Sequence, residues 1–202
     1  LNTVSLPWSS GYVSSTENIG SMSNSGVELN IDADIVRTHD WGLTAQFNIA
    51  HNSNKIVKLA GGTDIKGTSY ANYGSGPINI LREGYPIGYF WLYEYSGINT
   101  ETGRMEYVDH DGDGKYSDDA DRIMAGSPFP LFTYGLNIGL RYKRWDFNFF
   151  LQGSQGNKIY NLSNMRNMSY GQGMNIEKRT WEGSWKEGQD NTHASFPVIT
   201  NT

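Results

Sequence analysis

The chain lacks cysteine, long apolar runs and an excess of basic residues, and each shortage excludes a class of protein. Without cysteine there is no disulfide framework, no thiol nucleophile and no thiolate metal site. No segment approaches the roughly 18 consecutive apolar residues of a transmembrane helix. The first ten residues lack the basic start and apolar stretch of a signal peptide. A formal net charge of −5 argues against a dedicated nucleic-acid-binding protein, because phosphate contacts require a basic face.

Turn-forming and aromatic residues are abundant instead. The 202 residues include 24 glycines, 19 asparagines and 19 serines, and aromatic residues make up 13%. Charged residues are only 18%, below the roughly 25% of a typical soluble domain. This composition predicts an all-β chain with long loops, about one domain or part of one in length. The mean hydropathy of −0.56 is compatible with a membrane β-barrel, in which only alternate residues face lipid.

Four segments alternate between apolar and polar residues, and they define the predicted strands. The strands lie near 27–35, 41–51, 133–142 and 145–153, with Phe150 breaking the alternation of the last one. Each alternating run is about nine residues, which is the length of a tilted strand that crosses a bilayer. The chain is therefore predicted to form antiparallel strands with one apolar face.

The connections alternate in length. Strands one and two are joined by residues 36–40, and strands three and four by two residues, whereas 52–131 and 154–202 form long loops. Short turns on one side and long outer loops on the other are typical of outer-membrane barrels. Trp41, Tyr142 and Trp145 flank the short turns, where an aromatic girdle meets the lipid headgroups. A soluble β-sandwich is the alternative, since its strands alternate in the same way.

The barrel interpretation assigns a set of polar strand residues to the interior. They would bond water or a plug inside the barrel. These residues are Glu28, Asp32, Asp34, Gln46, Asn48, Asn137, Arg141 and Asn148.

A series of short motifs resembles the SusC/RagA family of TonB-linked outer-membrane proteins. In order, they are Asn18 to Gly20, Asn24 to Glu28, Glu83 to Phe90, Tyr107 to Gly114, Gly126 to Pro130, Tyr142 to Asp146, Gln152 to Gly156 and Ile159 to Asn161. The chain departs from the family where Trp91 to Tyr93 replaces Tyr-Gly-Tyr and where Ser127 replaces asparagine. The order and spacing over about 150 residues make the resemblance specific.

The resemblance implies an antiparallel transmembrane β-barrel segment with long extracellular loops. Residues 1–202 would be a late part of a large plugged barrel, while the family's plug, TonB-contacting segment and closing strands lie outside them. It also implies a location in the outer membrane of a Gram-negative, Bacteroidetes-like cell. The expected partners are outer-membrane lipid, a SusD-like surface lipoprotein and the TonB complex. The expected activity is import of oligosaccharides or peptides, and the alternative is a soluble, calcium-stabilised carbohydrate-binding β-sandwich.

Residues 109–115 have the spacing of the first half of a calcium loop, and the second half, to residue 121, fits less well. Alternating carboxylates can converge on one hard cation, and glycine allows the sharp turn between them. Position twelve is Ala120, where a bidentate acid would be expected, and an aspartate follows one residue later. The predicted calcium ligands are Asp109, Asp111, Asp113, the backbone oxygen of Lys115, and Asp121. The alternative is an acidic surface loop held by Asx turns and glycines.

Two aromatic clusters are candidates for ligand contact. Aromatic faces stack on sugar rings, but aromatic residues also pack strands, and packing is the competing interpretation. The candidate ligand-binding residues are Tyr89, Trp91, Tyr93, Trp181 and Trp185.

No enzyme is predicted. The four histidines are scattered without metal-ligand spacing, and neither a GxSxG elbow nor a Walker loop occurs. Gly153 to Lys158 superficially resembles a phosphate cradle, but no helix signal follows it.

Overall fold

A computed structural model of the chain describes residues 2–18, 20–67, 69–70, 75–116, 119–164 and 175–199. Ile19 of the first family motif lies outside these ranges. The chain divides into two compact units, made of residues 1–67, 79–90 and 126–158 and of residues 68–78, 91–125 and 159–202.

Strands dominate both units. In chain order they are β1 (Asn2–Ser5), β2 (Ser14–Glu17), β3 (Gly20–Arg37), β4 (Trp41–Leu59), β5 (Ile65–Lys66), β6 (Ser69–Tyr70), β7 (Ser75–Pro77), β8 (Asn79–Leu81), β9 (Tyr89–Tyr93), β10 (Tyr95–Ile98), β11 (Met105–Tyr107), β12 (Arg122–Gly126), β13 (Phe132–Tyr142) and β14 (Trp145–Gln155). Among the described residues, a helix, α1, spans Lys178–Gly183, residues 162–164 are also helical, and 3-10 turns span Trp8–Ser10 and Ala60–Gly62. Within the described residues, no helix is long and apolar enough to cross a membrane.

The four alternating segments form one antiparallel sheet in the order β14-β13-β4-β3. The hairpins close on the predicted turns. In the β3–β4 turn, the Trp41 amide donates to the Thr38 hydroxyl over 2.9 Å. In the β13–β14 turn, Lys143 adopts a left-handed φ of 54° and its amide donates to the Asp40 carbonyl over 2.7 Å. A positive φ in a two-residue loop matches the twist of the strands that it joins.

The register aligns the apolar side chains on one face of the sheet. Trp41, Tyr142 and Trp145 are paired across three strands, and the rings of Trp41 and Tyr142 lie 4.2 Å apart. Further along the same strands, Phe47 of β4 lies opposite Leu136 of β13. Because side chains alternate between faces, every second residue in each strand shares this apolar face.

The opposite face carries the polar residues predicted to face the interior. Asp32, Gln46 and Asn137 are successive cross-strand partners, and the side-chain Nδ2 of Asn137 donates to Oε1 of Gln46 over 3.3 Å. Phe150 pairs with Asn137 and therefore lies on this polar face, where it is 64% exposed.

β3 and β4 continue well beyond their alternating segments. The ladder between them extends from the Gly26–Asn52 pair to the Gly20–Leu59 pair. Serine and asparagine occupy both faces of β3 in this region, so no apolar alternation reveals the strand in the sequence. Backbone pairing, which does not depend on side-chain polarity, carries the hairpin further than the predicted ends at residues 27 and 51.

Beyond His51, where the pairing of β4 with β13 stops, residues 82–87 lie along the edge of β4. The Ile56 amide donates to the Tyr85 carbonyl, and the Gly84 amide donates to the Ile56 carbonyl, each over 2.9 Å. This pair of bonds imitates one rung of an antiparallel ladder and covers backbone groups that an edge strand would leave open.

Side chains complete this cover. The Leu59 amide donates to Glu83 Oε1 and the Ile87 amide donates to Asn54 Oδ1, each over 2.8 Å. Ile56 and Leu59 are buried, and so is Ile80 of β8, the strand that pairs with β5 and β9. The motif around Glu83 therefore anchors the part of β4 that lies beyond residue 51.

We predict that Glu83→Ala destabilises this anchor, since it leaves the Leu59 amide without its acceptor, at a cost of about 1–2 kcal/mol. Faster hydrogen exchange of the amides of residues 54–59, measured by mass spectrometry, would report it. Glu83→Gln keeps an oxygen acceptor and is the matched control. Equal exchange in Glu83→Ala and the wild-type protein would contradict the prediction.

Candidate functional site

The acidic loop that follows β11 is held in shape by its own carboxylates. Asp109 accepts hydrogen bonds from the amides of Gly112 and Gly114, over 2.6 and 2.8 Å. Asp111 and Asp113 each accept from the amide two residues further along, over 3.0 and 2.7 Å. These are Asx turns, in which a short acidic side chain replaces a backbone acceptor.

Two glycines allow the loop to turn back on itself. Gly112 and Gly114 both have φ of 79°, a left-handed conformation that residues with a Cβ adopt at a cost. The hydrogen bond from the Gly114 amide is the main cause that lowers the pKa of Asp109, and the Gly112 amide adds to it. Asp109 is therefore held in its charged form.

Asp121 lies at the other end of the loop and is fully buried. Its Oδ1 accepts the His110 amide over 2.9 Å, which fixes the carboxylate beside the first turn. The His110 ring in turn lies 3.2 Å from a carboxylate oxygen of Glu94. The end of the loop is thus attached to its beginning.

The structure brings together four of the five predicted calcium ligands. One carboxylate oxygen from each of Asp109, Asp111, Asp113 and Asp121 lies within 4.8 Å of one from each of the others. Lys115 follows in the same loop, and its amide donates to Asp113.

The second unit also contains an aromatic cluster, organised by Arg122. The Arg122 guanidinium lies 4.2 Å from the ring centre of Tyr93 and 4.9 Å from that of Trp91. It donates to the carbonyls of Pro77 and Trp91 over 2.7 and 3.3 Å. Arginine faces suit aromatic rings because the π-cloud attracts the cation. Trp91 is 1% exposed, so its role in the described structure is packing.

Tyrosines extend this cluster. Tyr107 lies 5.8 Å from Tyr93 and 6.4 Å from Tyr116, measured between ring centres. Burial raises the pKa of the Tyr107 phenol, and the neighbouring Tyr95 and Tyr160 raise it further. Tyr107 therefore stays neutral and serves packing and hydrogen bonding.

The remaining predicted ligand contacts lie apart. Tyr89, in the first unit, packs edge-on against Tyr85 with 5.4 Å between ring centres. The Trp185 indole N–H donates to the Thr100 carbonyl over 2.7 Å, and its ring lies where a Cβ on Gly103 would be. Trp181 is 57% exposed, with the Lys186 ammonium 5.5 Å from its ring, and it is the most accessible of the candidates.

Arg122 and Glu94 were not predicted from the sequence to belong to the site. Arg122 acts on residues 31 and 45 positions away, and no local pattern marks such contacts. The only available signal was a single arginine next to an aspartate at the end of an acidic loop.

The known proteins that this chain is similar to include several TonB-dependent receptors. Over 210 residues the chain is 33% identical to TonB-dependent receptor P3 of Formosa agariphila, covering 96% of this chain and 21% of that protein. Over 180 residues it is 31% identical to TonB-dependent receptor SusC of Bacteroides thetaiotaomicron, covering 84% of this chain and 18% of that protein. The chain thus spans about a fifth of the length of these relatives. No family model matches the chain.

The fold is also found among solved structures. The RagAB peptide transporter aligns with 98% of this chain and 22% of its own chain, with a TM-score of 0.75 and 28% sequence identity. The same transporter in its closed-closed state gives a TM-score of 0.76 at the same identity.

We predict that Arg122→Met loosens the aromatic cluster, because it removes both the cation and the donors to two carbonyls. Charged hydrogen bonds of this kind contribute about 1.5–3 kcal/mol each where they are buried. Hydrogen exchange of residues 91–93 should accelerate in the full-length protein. Arg104→Met, in the same unit, is the control. Unchanged exchange at residues 91–93 in Arg122→Met would refute the role given to the guanidinium.

Proposed function

This chain is a segment of a SusC/RagA-family TonB-dependent receptor, and we propose that the complete receptor uses it as part of the wall of an outer-membrane importer. The relatives are named as receptors and transporters rather than enzymes. Proteins of this kind belong to the outer membrane, and we place this receptor in the outer membrane of a Gram-negative, Bacteroidetes-like cell.

The observation that carries this proposal is the uncovered apolar face of the four-stranded sheet. Leu29, Ile31 and Phe147 are 50%, 48% and 61% exposed. A soluble β-sandwich would bury these side chains against a second sheet. No such sheet covers them within the described part of the chain, so nothing supports the soluble carbohydrate-binding alternative.

The height of the apolar face matches a bilayer. Ten residue steps separate Trp41 from His51, which is about 33 Å along the strand and about 25 Å when the strand is tilted by 40°. Aromatic rings mark both ends, with Trp41, Tyr142 and Trp145 at one end and Phe132 beside His51 at the other. This is the thickness and the aromatic belt expected of an outer-membrane barrel.

The polar face then lines the interior of the barrel. Asp34, Thr44, Gly139 and Asn148 are cross-strand neighbours on that face, with Arg141 one row nearer the short turns. These residues line an open cavity with a volume of about 400 Å³. Acidic, basic and amide groups in one place suit contact with water and with a polar domain that fills the barrel.

The outer edges of β3 and β14 support a position inside a larger barrel. Neither edge pairs with another strand of this sheet in the described ranges. Unpaired strand edges are not viable in hydrocarbon, since each open amide or carbonyl costs several kcal/mol. Neighbouring strands of the complete receptor would pair with both edges.

We infer that the complete receptor works with a SusD-like surface lipoprotein and takes energy from TonB through parts outside this chain. Its substrate would be an oligosaccharide or a peptide. SusC and the RagAB peptide transporter represent the relatives on which this inference rests. We assign substrate contact to Trp181, whose ring is exposed, since aromatic faces stack on sugar rings and on planar peptide groups.

A spin-label scan tests the barrel wall. This chain has no cysteine, so single cysteines can be introduced at its positions 27–35. In a complete receptor whose other parts also lack cysteine, each can be labelled selectively. We predict that labels at odd positions up to Ala33 are accessible to lipid-soluble oxygen, whereas labels at even positions are accessible to an aqueous nickel chelate. Odd positions shielded from both reagents would indicate a covered core and contradict the proposal.

Uptake experiments test the import activity. Cells without the receptor should lose uptake of either labelled oligosaccharides or labelled peptides, and Trp181→Ala should reduce that same uptake several-fold without lowering the receptor level. Trp8→Ala, at another exposed tryptophan, is the control. Normal uptake of both substrate classes after deletion would refute import, and normal uptake by Trp181→Ala would refute the contact.

A further inference from the structure

The carboxylate of Asp121 has a buried oxygen without a protein partner. Asp121 is 0% exposed, and its Oδ1 is occupied by the His110 amide. Its Oδ2 accepts no hydrogen bond from any described residue. A buried charge that is not fully paired is costly, and native proteins neutralise it with a cation or a metal ion.

The position of Asp121 indicates which kind of cation is needed. Oxygens from Asp109, Asp111, Asp113 and Asp121 lie within 4.8 Å of one another. Calcium–oxygen distances of about 2.3–2.6 Å put ligands on opposite sides of the ion about 4.6–5.2 Å apart. A single calcium ion can therefore contact all four carboxylates with little movement of the loop.

We propose that these four aspartates bind one calcium ion, with Asp121 as the buried ligand and the Lys115 carbonyl as a fifth oxygen. The ligands are all oxygens and most are carboxylates, as calcium prefers. Zinc is disfavoured because no histidine or cysteine belongs to the cluster. Magnesium is disfavoured because it usually binds one or two carboxylates and retains water.

The buried ligand also compensates for the missing acid at position twelve. Ala120 occupies the place where a calcium loop of this type supplies its bidentate acid. Asp121 follows one residue later, and its backbone enters β12 directly. The ion would then link the start of the loop to the strand that carries Arg122.

This link couples the ion to the aromatic cluster. Arg122 places its guanidinium over Trp91 and Tyr93 and donates to two carbonyls. Holding Asp121 in place also holds the backbone of Arg122. Calcium should therefore slow hydrogen exchange in residues 91–93 as well as in residues 109–121.

The complete receptor in detergent, stripped with chelator and titrated with calcium, provides the test. Terbium serves as a second probe, since Tyr107 and Tyr116 flank residues 109–115 in the sequence and tyrosine can sensitise terbium luminescence. We expect wild type to bind one more calcium than Asp121→Asn, or to bind it about tenfold or more tightly, because affinity follows ligand charge. Asp113→Asn, at an exposed ligand, should weaken binding in the same way and covers the case in which Asp121→Asn fails to fold.

Asp190→Asn is the matched control. Asp190 accepts hydrogen bonds from the Thr192 amide and hydroxyl, as a turn acid does, but it has no place in the cluster. It should bind calcium as wild type does.

The stability of the loop supplies a second readout with opposite signs. Without calcium, Asp121→Asn should protect residues 109–121 from exchange better than wild type, because it relieves repulsion among four carboxylates. With saturating calcium the order should reverse. Equal calcium binding by wild type, Asp121→Asn and Asp113→Asn, or no effect of calcium on wild type, would overturn the proposal. Neither result would affect the spin-label or uptake tests, since the calcium loop stands on its own contacts.

Discussion

Backbone pairing in a medium without water is the constraint on which the rest of this structure depends. A strand in hydrocarbon must satisfy each amide and carbonyl through its neighbours. β13 meets this requirement on both sides, through β4 and β14, over its whole length from Phe132 to Tyr142. The register that results decides which side chains meet lipid, because a shift by one residue would turn every apolar group inward. The two tight turns fix that register, through Thr38 in one hairpin and Lys143 in the other.

The same requirement explains the segment around Glu83. β4 is longer than β13, so the upper part of its edge would be open to any passing strand. Residues 82–87 close this edge with two backbone hydrogen bonds, with the Glu83 carboxylate, and with the Ile87 amide, which donates to Asn54 of β4. The motif that runs from Glu83 to Phe90 contains aromatic residues that suggest ligand contact, but its first residues have a structural role, because they bond to the edge of β4. Further along, Trp91 is buried under Arg122, which leaves Trp181 as the more accessible aromatic surface.

Patterns that one strand can express alone were predictable, and arrangements that need two distant segments were not. The alternation from Val27 to Ala33 follows from the physics of a two-faced strand, and the structure places these side chains on one face. The aromatic residues beside the turns were predicted to form a girdle, and they align in register. The upper part of β3 escaped notice because serine and asparagine on both faces give no period. The burial of Asp121 and the contacts of Arg122 depend on the tertiary structure. An aspartate or an arginine in the sequence does not by itself indicate burial or such contacts.

Asp121 and Arg122 are adjacent and oppositely charged, but Asp121 is fully buried whereas Arg122 is only half-buried. Asp121 lies in a turn and Arg122 begins β12, and the two side chains contact different groups. Arg122 contacts two aromatic rings and two carbonyls, which disperse its charge without an acid. Asp121 faces three further carboxylates and one amide, so its surroundings increase the local negative charge. Coulomb repulsion grows as water is excluded, so a cluster of four carboxylates, one of them buried, is stabilised most when a divalent cation occupies its centre.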